Sequence, residues 1–312
     1  MAKVILFARA YGIVLVTVLL FVLLALTTDG FASFRNFRNI LDQQSTVLIA
    51  ASFMTIATIA GNFDVSVSAV FVATPLVALV VENATGSVPL AVLAAVLTGT
   101  LMGLFNGIIV ARFRINSFIA TLATSFMFFG AGYLISDRSL LRPVGQAYPM
   151  LARTNILGLT SSTWVSFAMV LIASVLLTQT RFGRNVFATG GNPEAARIAG
   201  VAVSRVQITT FALLSTSAAI AGVLNSSRSL SAQPSDDFSF VFAVLTAVIV
   251  GGTSIAGGQG AVWRSVAGAF FLAFLSNGFN LHQIDPIWQR LIMGMVILVA
   301  VGIDSWTQRS SK

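Results

Sequence analysis

The stretch VPLAVLAAVLTGTLMGLFNGIIV, residues 88–110, carries no charged side chain. Wound as an α-helix at ~1.5 Å per residue it rises about 35 Å, enough to cross a hydrocarbon core of about 30 Å. Backbone amides in lipid find no water, so such a stretch takes the helical form, which pairs them internally. Working outward on the same template gives spans near 11–26, 45–60, 65–81 and 118–136. Further spans follow near 162–178, 206–224, 239–252, 262–281 and 287–303. The third and eighth run into breaks rich in glycine or serine, near 61–68 and 251–260. The expectation is an all-α membrane protein of about ten transmembrane helices, broken or re-entrant at those two places, forming one domain over 1–312.

Composition agrees. Apolar residues make up 56% of the chain, charged residues 9%, and the mean hydropathy is +0.91. A soluble domain carries about 25% charged residues to solvate its surface, so this surface must face membrane lipids. The net charge of +8 sits in connections beside apolar spans, where it follows the positive-inside rule and does not speak for nucleic acid. With the N-terminus inside, one face collects eleven basic and three acidic residues, and the other seven of each. That asymmetry predicts N-in, C-in. No small-residue cleavage site follows Leu26, so the first span reads as an uncleaved anchor.

Several chemistries are excluded. There are no cysteines and one histidine, His282, which rules out thiolate metal sites and paired-histidine zinc motifs. The only lysines are Lys3 and Lys312, and neither follows a glycine-rich turn as a phosphate-cradling lysine must. No cofactor is expected on this chain, and any ATP is bound by a partner subunit. No nucleophile or paired-carboxylate arrangement suggests an enzyme.

The polar positions divide into three groups. Within the long basic connection 179–205 stands GGNPEAARIAGV, residues 190–201. Gly190 and Gly191 permit a tight turn, Asn192 suits an N-cap, Pro193 the first helical position, and Glu194 the positive helix end. Ala195, Ala196, Arg197 and Ile198 continue a short helix near 192–199, and Gly200 stops it. Two readings stand, an ordinary capped connection or a rigid knob that docks into a partner. In the second group, GNFDVSVS at 61–68, Asp64 either caps the next helix through the Ser66 or Val67 amide or contacts a substrate. Capping is the favoured reading, shared by Asn62, Ser66 and Ser68. The run GGTSIAGGQG at 251–260 lacks a preceding strand and a following lysine, so it reads as two helix ends meeting. The third group, Asn106, Asn116, Thr121, Thr124, Ser125, Asn277 and Asn280, sits inside apolar spans. These are candidates for a translocation pathway, against the plainer role of interhelical hydrogen bonds worth under about 1 kcal/mol on average.

RFGRNVFATGGNPEAARIAGV (181–201), followed by an apolar span, resembles the permeases of ribose-type ABC importers. GNFDVSVSAV (61–70), NGIIVARFRINSFIATLATSFMFFGAGYLI (106–135) and VLTAVIVGGTSIAGGQGAVWRSVAGAFFLAFLSNGFN (244–280) resemble further segments of that family in the same order. The family usually has two glycines and then Asp-Leu-Ser-Val-Gly, where this chain has Gly61-Asn62 and then Asp64-Val65-Ser66-Val67-Ser68. The resemblance implies that 190–200 forms a cytoplasmic coupling helix seated in a groove of a separate ATP-binding-cassette ATPase subunit. It also implies a periplasmic or lipid-anchored sugar-binding protein and a second copy of this permease or a paralogous one. The implied location is the bacterial inner membrane, and the implied cargo a monosaccharide such as ribose. A secondary transporter is the main rival, but such carriers need ionisable groups within their spans, and these spans hold almost none. No charged or carbonyl filter motif suggests a channel.

Overall fold

The computed structural model describes residues 2–289, 291–292, 294–296 and 298, with side chains from residue 11 onward. The first five helices are α1 (Ala2–Thr27), α2 (Phe34–Ile59), α3 (Val67–Thr85), α4 (Val88–Phe113) and α5 (Ser117–Ile135). A short α6 (Ala147–Arg153) and a two-stranded antiparallel hairpin, β1 (Asn155–Ile156) with β2 (Leu159–Thr160), precede α7 (Ser161–Gln179). Then come α8 (Arg181–Gly191), α9 (Pro193–Ile198), α10 (Val203–Ser229), α11 (Ser239–Val250) and α12 (Val262–Leu281). Nine of the expected spans thus have a helix in place. The tenth, 287–303, lies partly outside the described residues. By length and composition α2, α3, α4, α5, α7 and α10 are each able to cross a membrane.

α10 is the packing centre, lying chiefly on α4 and also on α2 and α3. Gly99, Gly103 and Gly107 recur every fourth residue on α4, so they share one helix face. A Cβ added at Gly103 would stand 2.5 Å from the Phe211 carbonyl oxygen of α10. At Gly99 it would stand 2.6 Å from the Ala219 Cβ, and at Gly107 2.7 Å from the Ile208 Cα. Lipid tails are as apolar as the helices, so close van der Waals packing through small residues is what holds them together. α2 is buried on almost every side from Leu48 to Ala60, which makes it a core helix and not a lipid-facing one.

Three sequence expectations change. The connection 179–205 is largely helical. Its α8 is amphipathic, with Gly183, Val186 and Thr189 buried and Thr180 capping its start through the Gly183 amide at 3.1 Å. Gly190 and Gly191 do not form a turn but complete the last turn of α8. The turns fall instead at Gly61, Gly257 and Gly258, whose φ values of +80°, +87° and +72° lie in the left-handed region that glycine enters without a steric penalty. The connection 137–161, by sequence the longest loop on the face opposite 179–205, is also structured. Glu82, buried at the end of α3, accepts from the Val144 amide at 3.1 Å and the Gly145 amide at 2.8 Å. Tyr148 is fully buried and shares a 2.7 Å hydrogen bond with Ser226. Burial pushes its phenol up to about 12, so it stays neutral.

The absence of a side chain at Gly190 is a packing requirement. A Cβ there would lie 1.7 Å from the Ile59 carbonyl oxygen, whereas one at Gly191 would meet nothing within 4 Å. Gly190→Ala should therefore lose about 1–3 kcal/mol through overpacking, and Gly191→Ala should stay close to wild type. Thermal unfolding of the two purified variants in detergent checks this pair. Equal melting temperatures would show that the junction is slack.

Candidate functional site

Two features converge at the end of the bundle that carries α8 and α9. The first is the break between α2 and α3. α2 stops at Ile59, and the Gly61 amide turns back to the Thr58 carbonyl at 2.9 Å. The chain then has four irregular residues whose polar groups must find partners away from water. The Phe63 amide donates to Ser117 Oγ at 3.1 Å, and the Val65 amide to Thr121 Oγ1 at 3.0 Å. Asp64, fully buried, accepts through Oδ1 from the Ser66 amide at 2.8 Å and the Ser66 hydroxyl at 2.6 Å. Asn106 Nδ2 of α4 donates to Ser66 Oγ at 2.7 Å, and Asn62 Nδ2 donates to Thr210 Oγ1 of α10 at 2.8 Å. Ser68 Oγ receives the Val241 amide of α11 at 2.8 Å. These side chains pin α3, α4, α5, α10 and α11 around one break. Asp64 Oδ2 and Asn106 Oδ1 have no donor among the described residues.

The second feature is the short helix and its base. Asn192 Oδ1 accepts from the Glu194 and Ala195 amides, both at 3.0 Å, so the side chain caps α9 as its sequence suggests. Gly200, at φ +86°, ends it with its amide on the Arg197 carbonyl at 3.0 Å. Glu194 and Arg197 pair at 3.2 Å on the exposed surface of α9, where such a pair is worth about 1 kcal/mol or less. Ala196 is buried beneath α9, while Ile198 is 88% exposed. A lone aliphatic side chain so exposed on a short capped helix is available for contact, a feature that reading Ile198 as mere helix continuation missed. Beneath it the Gly258 amide donates to the Ile59 carbonyl at 2.9 Å. A Cβ on Gly257 would meet the Gly190 carbonyl at 2.9 Å and the Gly61 Cα at 3.3 Å. The two glycine-rich breaks and the end of α8 thus meet backbone to backbone.

The remaining pathway candidates do not gather into one cavity. Thr121 belongs to the break, and Thr124 and Ser125 are buried with their hydroxyls on the Thr121 carbonyl at 3.2 and 2.6 Å. Asn116 is the exposed N-cap of α5, accepting from the Phe118 and Ile119 amides. Asn277 exchanges amide hydrogen bonds with Asn36 at 2.8 and 3.0 Å. Asn280 accepts from Gln289 at 3.0 Å. Each has a local partner that accounts for it.

Residues 36–301 match the family described as branched-chain amino acid transport system / permease component. The chain is 36% identical over 302 residues to the L-arabinose transport system permease protein AraH of Escherichia coli (strain K12), covering 97% of this chain and 92% of the relative. It is 32% identical over 299 residues to the ribose import permease protein RbsC of the same strain, covering 93% and 92%. The RbsC of Bacillus subtilis (strain 168) is 32% identical over 289 residues, covering 92% and 89%. No solved structure matches the chain. A profile that spans most of the sequence, joined to relatives aligned nearly end to end, shows that this chain belongs to the family of ABC transport-system permease components: it is a multi-pass membrane protein that carries a solute and not an enzyme.

Proposed function

We propose that this chain is the permease subunit of an ATP-binding-cassette importer that moves a monosaccharide across the bacterial inner membrane. The observation that carries the reading is α9, capped at both ends, packed on α8 whose end forms the glycine junction, and presenting Ile198 to solvent. The named relatives aligned over nearly the whole chain are permeases for arabinose and ribose, which favours a pentose or related sugar. The broader family description names amino acids, and a non-sugar solute is the alternative cargo.

In this reading α9 lies in the cytoplasm and docks into a separate ATPase subunit, with Ile198 as its apolar anchor. Gly190, Gly191, Asn192, Glu194, Ala195, Arg197 and Gly200 shape and seat that helix. A periplasmic or lipid-anchored sugar-binding protein delivers cargo to the opposite face. A second permease, identical or paralogous, completes the pathway, and nucleotide binding rocks the two between outward- and inward-open states by alternating access. About ten spans, N-in and C-in, place α9 on the basic side, as the positive-inside rule requires. Asp64 acts as a structural anchor of the break and not as a sugar contact: it is fully buried, and its Oδ1 is engaged by Ser66, while Oδ2 is without a donor among the described residues.

Reporter fusions test the topology. Fusions after residues 114, 190 and 308 should read cytoplasmic, and fusions near 35, 150 and 235 periplasmic. A periplasmic readout at 190 overturns both topology and coupling. Coupling is tested by Ile198→Asp and Glu194→Arg in the assembled complex. Each should lower sugar-stimulated ATP hydrolysis at least tenfold while the permease stays inserted at normal abundance, and unchanged hydrolysis removes α9 from the coupling role.

Asp64→Asn keeps an acceptor for the Ser66 amide and removes any charge from a fully buried position. Transport and melting temperature should be preserved. Asp64→Leu leaves that amide unpaired and should lose about 0.5–2 kcal/mol of local stability, seen as lower abundance with substrate range unchanged. A stable, assembled Asp64→Asn variant that transports nothing would instead place Asp64 on the pathway.

A further inference from the structure

The end of the bundle opposite α9 contains a feature that none of the sequence candidates touches. α11 has twelve residues and rises only about 18 Å, well short of a hydrocarbon core of about 30 Å. Its lower end meets the glycine junction through 251–260. Its start at Ser239 therefore lies within the depth of the membrane, and the eight residues before it, 231–238, have no helix. Irregular backbone at such depth is tolerated only when it is buried in protein or lines a water-filled cavity. The structure shows the cavity. It measures about 270 Å³ and lies between α3, the end of α10 and the 231–238 segment.

Pro75, inside α3, helps to open it. Proline has no amide hydrogen, so the Phe71 carbonyl lacks its usual partner four residues on and the helix is disturbed there. Gly222 of α10 lets this carbonyl come close, since a Cβ there would stand 2.5 Å from the Phe71 oxygen. Phe71 stacks on Phe240 of α11 with ring centroids 3.8 Å apart and planes at 13°, and both rings line the cavity.

The polar lining is unspent. Asn225 uses its oxygen for Arg228 at 3.1 Å, and its Nδ2 donates to nothing among the described residues. Asp237 uses Oδ1 to cap α11 through the Ser239 amide at 2.8 Å and the Ser239 hydroxyl at 2.6 Å, leaving Oδ2 free. The Gln233 amide has no protein partner among the described residues, and it also lines the cavity.

We infer that this cavity, floored by Phe71 and Phe240 and edged by Asn225, Gln233 and Asp237, is a binding site for a single monosaccharide ring within one permease subunit. The chemistry fits a sugar on two counts. Stacked aromatic rings present apolar surface to sugar C–H groups, while an amide donor, a second amide and a carboxylate oxygen answer hydroxyls that both donate and accept. The size fits as well. At about 270 Å³ the space falls just below the ~300 Å³ at which drug-sized sites begin, large enough for one ring and too small for a disaccharide. A partly open mouth and replaceable water partners suit a site that must release its cargo. The inference rests on the proposed sugar import and gives that import a waypoint, set by residues of the permease itself.

The test uses the full chain in lipid nanodiscs, with D-ribose, L-arabinose and maltose as probes in saturation-transfer NMR. Saturable transfer to a monosaccharide in the millimolar range, absent for maltose, is expected. Asn225→Ala and Asp237→Asn should each weaken it at least fivefold, with melting temperature within 2 °C of wild type as an approximate tolerance. A second arm measures uptake by the complex reconstituted with its ATPase and binding protein. Uptake by the wild type together with wild-type behaviour of both variants in both arms overturns the site alone. Failure of the wild-type complex to import any monosaccharide overturns the functional reading instead. Transfer from maltose equal to that from ribose also overturns the site, since it shows non-specific contact.

Discussion

The fold depends on how closely α4 approaches α10. Three glycines at every fourth position let the backbone of one helix touch that of the other, and a hydroxyl pair, Thr100 with Thr216 at 2.7 Å, lies beside the seam. A membrane bundle cannot rely on expelling water to bring its helices together, so proximity has to be written into side-chain size. Once α10 is held this way, α2 and α3 pack on its remaining faces and the break at 61–66 is enclosed. Every polar group in that break then has to be answered from a neighbouring helix. That requirement explains why Ser117, Thr121, Asn106 and Thr210 sit at positions where an apolar residue would suit lipid better.

The positions of most of the long helices were legible because a run of twenty apolar residues has few physical alternatives in water or lipid. The cap of α9 was legible too, since Asn192, Pro193 and Gly200 each follow a local rule that does not depend on the rest of the chain. The role of Gly190 was not legible. Its sequence neighbours suggest a turn, and only the approach of Ile59, more than a hundred residues away, shows that it is a contact glycine. The pathway candidates meet a related limit. Polarity inside a span marks a residue that needs a partner, and the sequence does not say whether the partner is a neighbouring helix or a solute. The reverse error hid the cavity. Phe71, Pro75 and Phe240 look like ordinary apolar residues of a span, and Asn225 and Gln233 look like solvated loop.

The two breaks in the helical pattern solve the same problem in different ways. At 61–66 the amides of Gly61, Asn62, Phe63, Val65 and Ser66 are answered by protein, while Asp64 Oδ2 has no donor among the described residues. At 231–238 only part of the segment is paired, chiefly through the bridge between Leu141 and Ala232, and the rest faces a cavity. Enclosure suits a hub that fixes five helices in register. A wet, half-paired segment suits a place where a polar solute can exchange with water.

The two ends of the bundle are also fastened by different kinds of contact, which bears on how force crosses the molecule. Beneath α9, Gly190, Gly257 and Gly258 meet Ile59 and Gly61 through backbone atoms. No rotamer stands between them to take up a displacement, and close-packed interiors transmit strain. In the proposed docking, movement of α9 passes through the end of α8 to the end of α2 and into the Asp64 break, where α3, α4, α5, α10 and α11 are all attached. At the far end the fastenings are side chains: Tyr148 on Ser226, Glu82 on the 144–145 amides, and Arg153 on the Arg228 carbonyl at 2.6 Å. Tyr148, Ser226 and Glu82 are buried, so each of their bonds costs about 1–3 kcal/mol to leave unmade. A backbone junction at one end and rotatable side-chain ties at the other allow the packing to change at the far end while the near end keeps its form. The proposed coupling to a partner's ATP draws on that division.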